Sequence, residues 1–503
     1  MAISYMDLGI FRDCAMAVVW LAVGFFVGSA VYNLLFSVIA SDWSITGNRH
    51  LWLARNHEIY GNVVRYPPNG LMFRTPNAYR DIFNSKSNAK RSNIITGIDV
   101  ALQAQKKRII STVFSDKAIR AMEPILLEHV SRWCQLLVDD NEDDRSTPRK
   151  MSQVCDCLVL DVLCDLCFGR SVRTKEPGEN KYRKIPHIIA KFLPILCPLG
   201  HSPWLDLVVR LKPRGLDRVF ALFTPSSLYE FVQESLALRL QSDHGRSLSQ
   251  DNGTTKPDRP DMLHYLINAK DPDTGNLGHQ KEALEAEALT LTIAGSDATS
   301  VIMAGFFFYI VRSPDVYGRL VDEIRATFTS SDEVRGGKKL STCKYLYACV
   351  EEAMRTTPAR PAELPRTALP EGLVVDGDYI FEGTIVVAHW SFYRNGRYFH
   401  DPNVYLPERW ILDEQAGVTA VDVARARSSC LPFTAGATRC ARKNFALLEL
   451  YVTIARTLWL YDVRLVPGDT TGGGHEAGEW GRRFQVLDNY IRDGPVVQSR
   501  KRE

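Results

Sequence analysis

The 503-residue chain has little excess charge of either sign. Its 61 lysines and arginines stand against 58 acidic residues, which leaves a net charge of +3 at pH 7. Nucleic-acid-binding domains usually carry a clear basic excess, so this balance argues against a nucleic-acid partner. The sequence also contains no G-x-x-x-x-G-K-[ST] phosphate loop and no G-x-S-x-G elbow. These absences exclude two common patterns of nucleotide-dependent and serine-dependent enzymes.

Long uncharged stretches are scarce as well, since only Cys14–Ala40 runs for 27 residues without a charge. A bilayer core needs about 20 apolar residues in a helix. We therefore predict a transmembrane anchor helix at 14–34, after a short N-terminal segment at 1–13. A cleaved signal peptide is the alternative, but the run is long for the apolar part of such a peptide. No second run of this length follows, so residues 50–503 are predicted to form one globular catalytic domain.

The cysteines cannot all pair with one another, because their number, 11, is odd. Cys155, Cys157, Cys164 and Cys167 could be interpreted as a zinc site. However, leucine, valine and aspartate at helical period separate them, whereas structural zinc sites usually present cysteine pairs on turns. Buried thiols on a helix are the favoured interpretation. Reduced cysteines in turn indicate a domain that faces the cytosol, and the arginines that follow the anchor weakly favour the same orientation.

Apolar residues at three- and four-residue spacing predict a protein that is mainly α-helical, with small β-sheets. Turn residues between short apolar runs predict strands. The predicted elements are a strand–turn–strand followed by a helix over 59–84, helices through most of 101–245, a core helix at about 280–312, a helix from Pro314, a helix ending at Pro358, strands within 363–389 and a last long helix at 441–460.

Four short motifs follow one another in the second half of the chain. They are "AGSDATS" at 294–300, "EAMR" at 352–355, "PERW" at 407–410 and "PFTAGATRC" at 432–440. Cys440 by itself could be a core thiol, one half of a disulfide or a metal ligand. The four motifs in this order resemble the cytochrome P450 family of haem-thiolate monooxygenases, and particularly its members from fungal secondary metabolism.

The resemblance implies a cytochrome P450 fold that binds haem b through the thiolate of Cys440. It places Phe433, Gly436 and Arg439 in the loop around this ligand, and Ala294 and Gly295 where dioxygen and substrate need room. Asp297 and Thr299 match the acid and alcohol that deliver protons. Lys107, Arg108 and Arg366 are candidates to bind the haem propionates. Glu352, Arg355 and Arg409 match a buried network that supports the haem-binding core.

The sequence departs from the family pattern at several positions. Thr438 and Arg442 stand where the family usually has arginine and glycine, and Arg439 comes one place late. Ala298 separates Asp297 from Thr299, and one residue turns a helix by about 100°. Thr299 therefore need not face the iron.

The resemblance predicts a single-pass protein of the endoplasmic reticulum membrane with its catalytic domain in the cytosol. It would take electrons from NADPH through NADPH–cytochrome P450 reductase and use dioxygen to oxidise a lipophilic small molecule, an intermediate of fungal secondary metabolism. Two alternatives stay open. One is a haem-thiolate enzyme that catalyses a non-oxygenating rearrangement or dehydration, and the other is a nonenzymatic haem-binding protein.

Overall fold

The computed structural model describes residues 49–65, 69–84, 86–91, 113–139, 145–189, 226–248, 261–267, 281–359, 365–388, 390–436, 439–471, 486–487, 489–490 and 494–502. Three predictions fall outside these ranges. They are the anchor helix at 14–34, the role of Lys107 and Arg108 as propionate ligands, and any structural effect of having Thr438 where the family usually has arginine.

Helices make up most of the described chain. They are Arg49–Tyr60 (α1), Pro76–Phe83 (α2), Asp116–Leu136 (α3), Met151–Phe168 (α4), Ser226–Leu248 (α5), Met262–Ile267 (α6), Lys281–Ile310 (α7), Pro314–Thr327 (α8), Lys338–Ser341 (α9), Lys344–Thr356 (α10), Ala420–Ser429 (α11) and Lys443–Leu460 (α12). Short 3₁₀ helices lie at Lys181–Lys184, Ser331–Glu333, Trp390–Arg394 and Pro407–Trp410.

Several helices begin where side chains satisfy the first backbone amides. The Thr75 hydroxyl accepts a hydrogen bond from the Ala78 amide, and Pro76 occupies the first turn of α2. Thr419 and Asp422 form a reciprocal capping box at the start of α11. Such caps stabilise a helix by about 1 kcal/mol each. At the other end of a helix, Gly169 adopts a left-handed conformation with φ 69° and terminates α4, which glycine does without steric cost.

The strands form small sheets at the edges of the helical body. They are Val63–Arg65 (β1), Gly70–Phe73 (β2), Ala89–Arg91 (β3), Arg149–Lys150 (β4), Arg366–Ala368 (β5), Leu373–Val375 (β6), Asp378–Ile380 (β7), Ile385–Ala388 (β8), Tyr461–Leu465 (β9), Val486–Leu487 (β10), Asn489–Tyr490 (β11) and Val496–Lys501 (β12). One sheet has the order β1-β2-β8-β5-β3, in which only β2 and β8 are parallel. A second has the order β4-β12-β9, and β6-β7 and β10-β11 are two-stranded.

Helix α7 runs through the largest hydrophobic cluster and packs most extensively against α4. All ten residues from Val301 to Ile310 are buried. Its part Glu287–Ile310 has a mean hydropathy of 1.4 and is, within the described ranges, the one helical stretch long and apolar enough to cross a membrane. Of its most apolar window, 78% is buried inside the protein, which is typical of a core helix.

The structure confirms the predicted elements that it describes. The strand–turn–strand and helix of 59–84 correspond to β1, β2 and α2, and the predicted core helix corresponds to α7. All four cysteines of 155–167 lie on α4 and are free thiols. Among the described residues, no cluster of three or more histidine, cysteine or acidic side chains could hold a metal ion. This favours buried helix thiols over the zinc site.

Candidate active site around Cys440

Cys440 lies in a loop that connects α11 to α12. Thr434 and Gly436 both have positive φ angles, 57° and 56°, and they turn the loop back on itself. The Cys440 amide donates a hydrogen bond to the Phe433 carbonyl at 2.9 Å, and the Arg439 amide donates to the Gly436 carbonyl at 3.2 Å. Cys440 is the one exposed thiol among the free cysteines of the described residues. The loop therefore presents this sulfur instead of packing it away.

The side chains around the loop add apolar cover and positive charge. Phe433 is partly buried against the main hydrophobic cluster, and the Lys443 ammonium lies 5.6 Å from the centre of its ring. Arg439 is exposed. Burial and the neighbouring Arg439 lower the pKa of Lys443, so two cationic side chains stand close together next to Cys440.

Helix α7 has one open face. Thr290 and Ala294 are exposed, and Asp297 and Ala298 are partly buried. These positions are spaced by four, three and one residues, so they form one stripe along the helix. On a helix that is otherwise largely buried, such a stripe leaves room beside small side chains. Ala294 and Asp297 were both predicted to lie at the oxygen site, and the structure places them together on this stripe.

Gly295 does not lie on the open stripe, although the resemblance predicts it at the oxygen site together with Ala294. A Cβ atom at position 295 would be 2.7 Å from a methyl carbon of Leu163 on α4 and 3.3 Å from Nη1 of Arg442. The missing side chain of Gly295 therefore makes room for Leu163 and Arg442. Of the two residues, Ala294 is the one on the open stripe.

Thr299 is buried next to Glu449 of α12, and its hydroxyl favours the ionised form of that carboxyl group. The hydroxyl of Ser300 donates to the carbonyls of Ser296 and Asp297, which is the ordinary behaviour of serine within a helix. The structure thus turns Thr299 towards α12. Its role as a proton relay stays a prediction.

Glu449 is a functional candidate that sequence reasoning missed. Its carboxylate is fully buried, and Oε2 accepts a hydrogen bond from Nη2 of Arg442 at 2.8 Å. Burial raises the pKa of Glu449 to about 7, against the opposing effects of the Arg442 guanidinium and the Thr299 hydroxyl. A signal was present in the sequence, because Glu449 is the lone charge in the run "FALLELYV" and lies two helical turns after Arg442.

Glu352, Arg355 and Arg409 form the predicted buried network. Both Glu352 and Arg355 are completely buried, with Nε–Oε2 and Nη2–Oε1 distances of 2.9 and 2.7 Å. Arg409 donates through Nε to Oε1 of Glu352 at 3.2 Å. Burial alone would raise the pKa of Glu352, yet the two arginines hold it below its ordinary value. The group is thus an ion pair on α10 joined by an arginine of the 3₁₀ helix Pro407–Trp410.

The network also fastens loop backbone. Nη1 of Arg355 donates to the carbonyls of Tyr393 and Pro402, both at 2.7 Å. The Leu406 amide and the Trp410 indole donate to Glu352 at 2.9 and 3.0 Å. Since these groups are distributed over residues 393–410, the ion pair holds the segment that precedes the cysteine loop.

Arg366 lies on β5 and is buried, with its guanidinium 4.7 Å from the centre of the Phe83 ring. It also donates to the Pro365 carbonyl at 3.2 Å. It lies against a second hydrophobic cluster that contains Phe83 and Tyr79. Burial raises the pKa of Tyr79, and the Arg366 charge opposes this shift. Its role as a propionate ligand stays a prediction.

These residues fit a haem-thiolate centre. A thiolate is a soft ligand suited to haem iron, and Cys440 is an exposed thiol within three residues of the start of α12, where backbone N–H groups favour negative charge. Arg442 is bonded to both α7 and α12, so the cysteine loop lies next to the turn of α7 that carries Ala294 and Asp297.

Comparison with known proteins agrees with this geometry. The sequence matches the family described as "Cytochrome P450" over residues 53–472. It is 31% identical to the cytochrome P450 monooxygenase AKT7 of Alternaria alternata, covering 91% of this chain and 89% of that protein. It is 30% identical to the cytochrome P450 monooxygenase poxM of Penicillium oxalicum, covering 90% and 86%. A third relative, the trichothecene C-4 hydroxylase of Trichoderma arundinaceum, is 27% identical over 86% of this chain and 85% of its own length.

The family match covers most of the chain, including the α7 stripe, the buried network and the cysteine loop. The relatives are matched over nearly their whole length. The chain therefore belongs to the cytochrome P450 family, whose members are monooxygenases that bind haem through a cysteine thiolate.

Proposed function

We propose that this protein hydroxylates a lipophilic intermediate of fungal secondary metabolism. The observation that carries the proposal is the exposed thiol of Cys440 in a loop that Arg442 joins to helix α7. Three fungal relatives are named as monooxygenases or as a hydroxylase. The hydroxylase is named for a trichothecene, and the relatives AKT7 and poxM are likewise fungal monooxygenases.

We propose further that the uncharged run at 14–40 tethers the domain to the endoplasmic reticulum membrane, with the catalytic domain in the cytosol. Members of the family generally receive electrons from a redox partner. For this chain the partner would be NADPH–cytochrome P450 reductase, a flavoprotein of the same membrane. The length of the run and the free, mostly buried cysteines of the described residues support this location.

Haem held at Cys440 would supply the activation of dioxygen, and its thiolate ligand favours O–O cleavage. The protein's own residues supply orientation and protons. Ala294 leaves space beside the ligand loop. Asp297 is the carboxyl group on the same stripe and would hold a proton near the reacting atoms. Glu449, with a pKa of about 7, can hold another beside the hydroxyl of Thr299.

The reduced protein in carbon monoxide tests this function. We expect the long-wavelength Soret band that marks a thiolate-ligated haem, together with NADPH-dependent oxygen uptake that is coupled to an oxidised product when reductase is present. A haem-loaded protein that folds but lacks the band would contradict the thiolate assignment. Oxygen uptake coupled to product would rule out the non-oxygenating alternative, and turnover of any substrate would rule out the nonenzymatic one.

Replacing Thr299 with alanine tests the proton relay. If its hydroxyl carries protons, product formed per NADPH should fall about tenfold or more, because positioned proton transfer contributes about 10²–10⁴-fold to a rate. Thr292→Ala is the matched control, since Thr292 is a buried threonine of the same helix whose hydroxyl donates to the Ala288 carbonyl. Equal product yield per NADPH in the wild type and Thr299→Ala would show that this hydroxyl is not the relay.

A further inference from the structure

Arg442 occupies an unusual position relative to the iron ligand. It lies two residues after Cys440 and immediately before α12, at the position where the resemblance to the family implies glycine. Its side chain is 12% exposed and makes no capping hydrogen bond to α12. The guanidinium is instead directed into the protein, and its carbon lies 5.2 Å from the centre of the Phe445 ring. The side chain that replaces glycine is therefore held inside the fold.

The two ends of the guanidinium bind two different helices. Nη1 donates to the backbone carbonyl of Gly295 on α7, and Nη2 donates to the Glu449 carboxylate on α12. Arginine suits this arrangement because its planar fork carries several donors in fixed directions. Gly295 permits the approach, since a Cβ atom there would lie 3.3 Å from Nη1. The side chain of Arg442 thus connects the loop that carries Cys440 to the turn of α7 that carries Ala294 and Asp297.

Arg442 is the cationic partner of Glu449. The carboxylate is completely buried, and an ionised carboxylate without a partner is strongly disfavoured inside a protein. Charge-assisted hydrogen bonds to arginine are stronger than those between neutral groups. Thr299 faces the same carboxylate. The two positions at which the sequence departs from the family pattern, 299 and 442, therefore both interact with Glu449.

We propose that Arg442 is a positioning residue that fixes the distance between the iron-ligand loop and the oxygen-site helix α7, with Glu449 as its buried counter-ion. The proposal deepens the function given above and rests on Cys440 as the iron ligand. Arg442 acts through the Gly295 carbonyl and Glu449, and touches neither the substrate nor the iron in this assignment. Its loss would let the loop that carries Cys440 move relative to the Ala294–Asp297 stripe.

The test uses the full-length, haem-loaded protein and three variants. Arg442→Gly restores the residue usual in the family, and Arg442→Lys keeps the charge on a single ammonium that cannot reproduce the two-ended fork. Arg442→Gly combined with Glu449→Gln removes both buried charges, so it leaves no unpaired ion. Asn444→Gly is the control for the flexibility that glycine adds, because Asn444 is exposed on the first turn of α12.

Three readouts separate positioning from simple stabilisation. They are the rate of haem transfer to a haem-acceptor protein, the fraction of haem that shows the thiolate band with carbon monoxide, and product formed per NADPH. We expect Arg442→Gly to release haem about tenfold faster and to lower product per NADPH about threefold or more, with Arg442→Lys only partly restoring both. A residue that merely stabilised the fold would lower the unfolding temperature while the folded enzyme kept its product yield.

The double variant keeps the proposal testable if Arg442→Gly fails to fold. It should fold, because no buried charge is left unpaired, and it should still show fast haem release and low product yield. If Arg442→Gly, or the double variant in its place, matches the wild type within twofold in all three readouts, the proposal is wrong. The wild type would still show the thiolate band in that case, so the proposed function would be unaffected.

Discussion

Replacing Arg355 with glutamine is expected to remove most of the folded, haem-loaded protein, not merely to slow its reaction. The substitution leaves Glu352 buried without its closest cation and releases the backbone carbonyls of Tyr393 and Pro402. Breaking a buried ion pair by removing one partner costs about 3–5 kcal/mol. Folded proteins are stable by only about 5–15 kcal/mol. The loss is therefore a large part of the free energy of unfolding.

The measurement is denaturant unfolding of the variant and the wild type, together with haem content per protein. Arg425→Gln is the matched control. Arg425 pairs with Asp422 at the same i,i+3 spacing, 3.1 Å apart, but both side chains are exposed. Exposed pairs contribute about 0–1 kcal/mol, so this variant should retain nearly all of its stability. If Arg355→Gln loses no more stability than Arg425→Gln, the buried network does not support the fold.

Cys440→Ser should abolish the thiolate band of the reduced carbon monoxide complex and all oxygen-dependent turnover. A serine hydroxyl is not ionised at neutral pH and does not supply the soft, electron-donating ligand that favours O–O cleavage. Cys440 is exposed, and substitutions at exposed positions usually change stability by less than about 0.5 kcal/mol. The haem-free variant should therefore unfold at nearly the same denaturant concentration as the haem-free wild type.

Cys157→Ser is the control for this substitution, because Cys157 is a partly exposed thiol on α4. It should keep the band and the activity. A Cys440→Ser protein that retained the thiolate band would show that another cysteine holds the iron. The contrast with Arg355→Gln is also informative: one variant is expected to lose its fold and haem, and the other to lose its chemistry while the polypeptide stays stable.

The buried network shows which of its contacts a sequence pattern predicts and which it does not. The resemblance predicts that Glu352, Arg355 and Arg409 form one network, and the three-residue spacing of Glu352 and Arg355 is that of neighbours on one helix face. The backbone partners at 393–410 did not follow from any motif, because a guanidinium can bind whichever carbonyls the fold brings within reach. The same holds for Arg366. Its sequence neighbours predict a strand, whereas its position against Phe83 depends on the packing of β5 near α2.

The sequence by itself determined the family and the helical character of the chain, and it predicts Cys440 as the iron ligand. These properties depend on local spacing: period 3.6 along a helix, and four motifs in a fixed order. Only the tertiary structure decided that Gly295 faces Leu163 and Arg442 while Ala294 stays on the open stripe, and that Thr299 faces Glu449. The Arg442–Gly295 hydrogen bond joins residues 147 positions apart. Such a contact depends on how α7 and α12 pack, and packing between distant helices is not encoded in the period of either one.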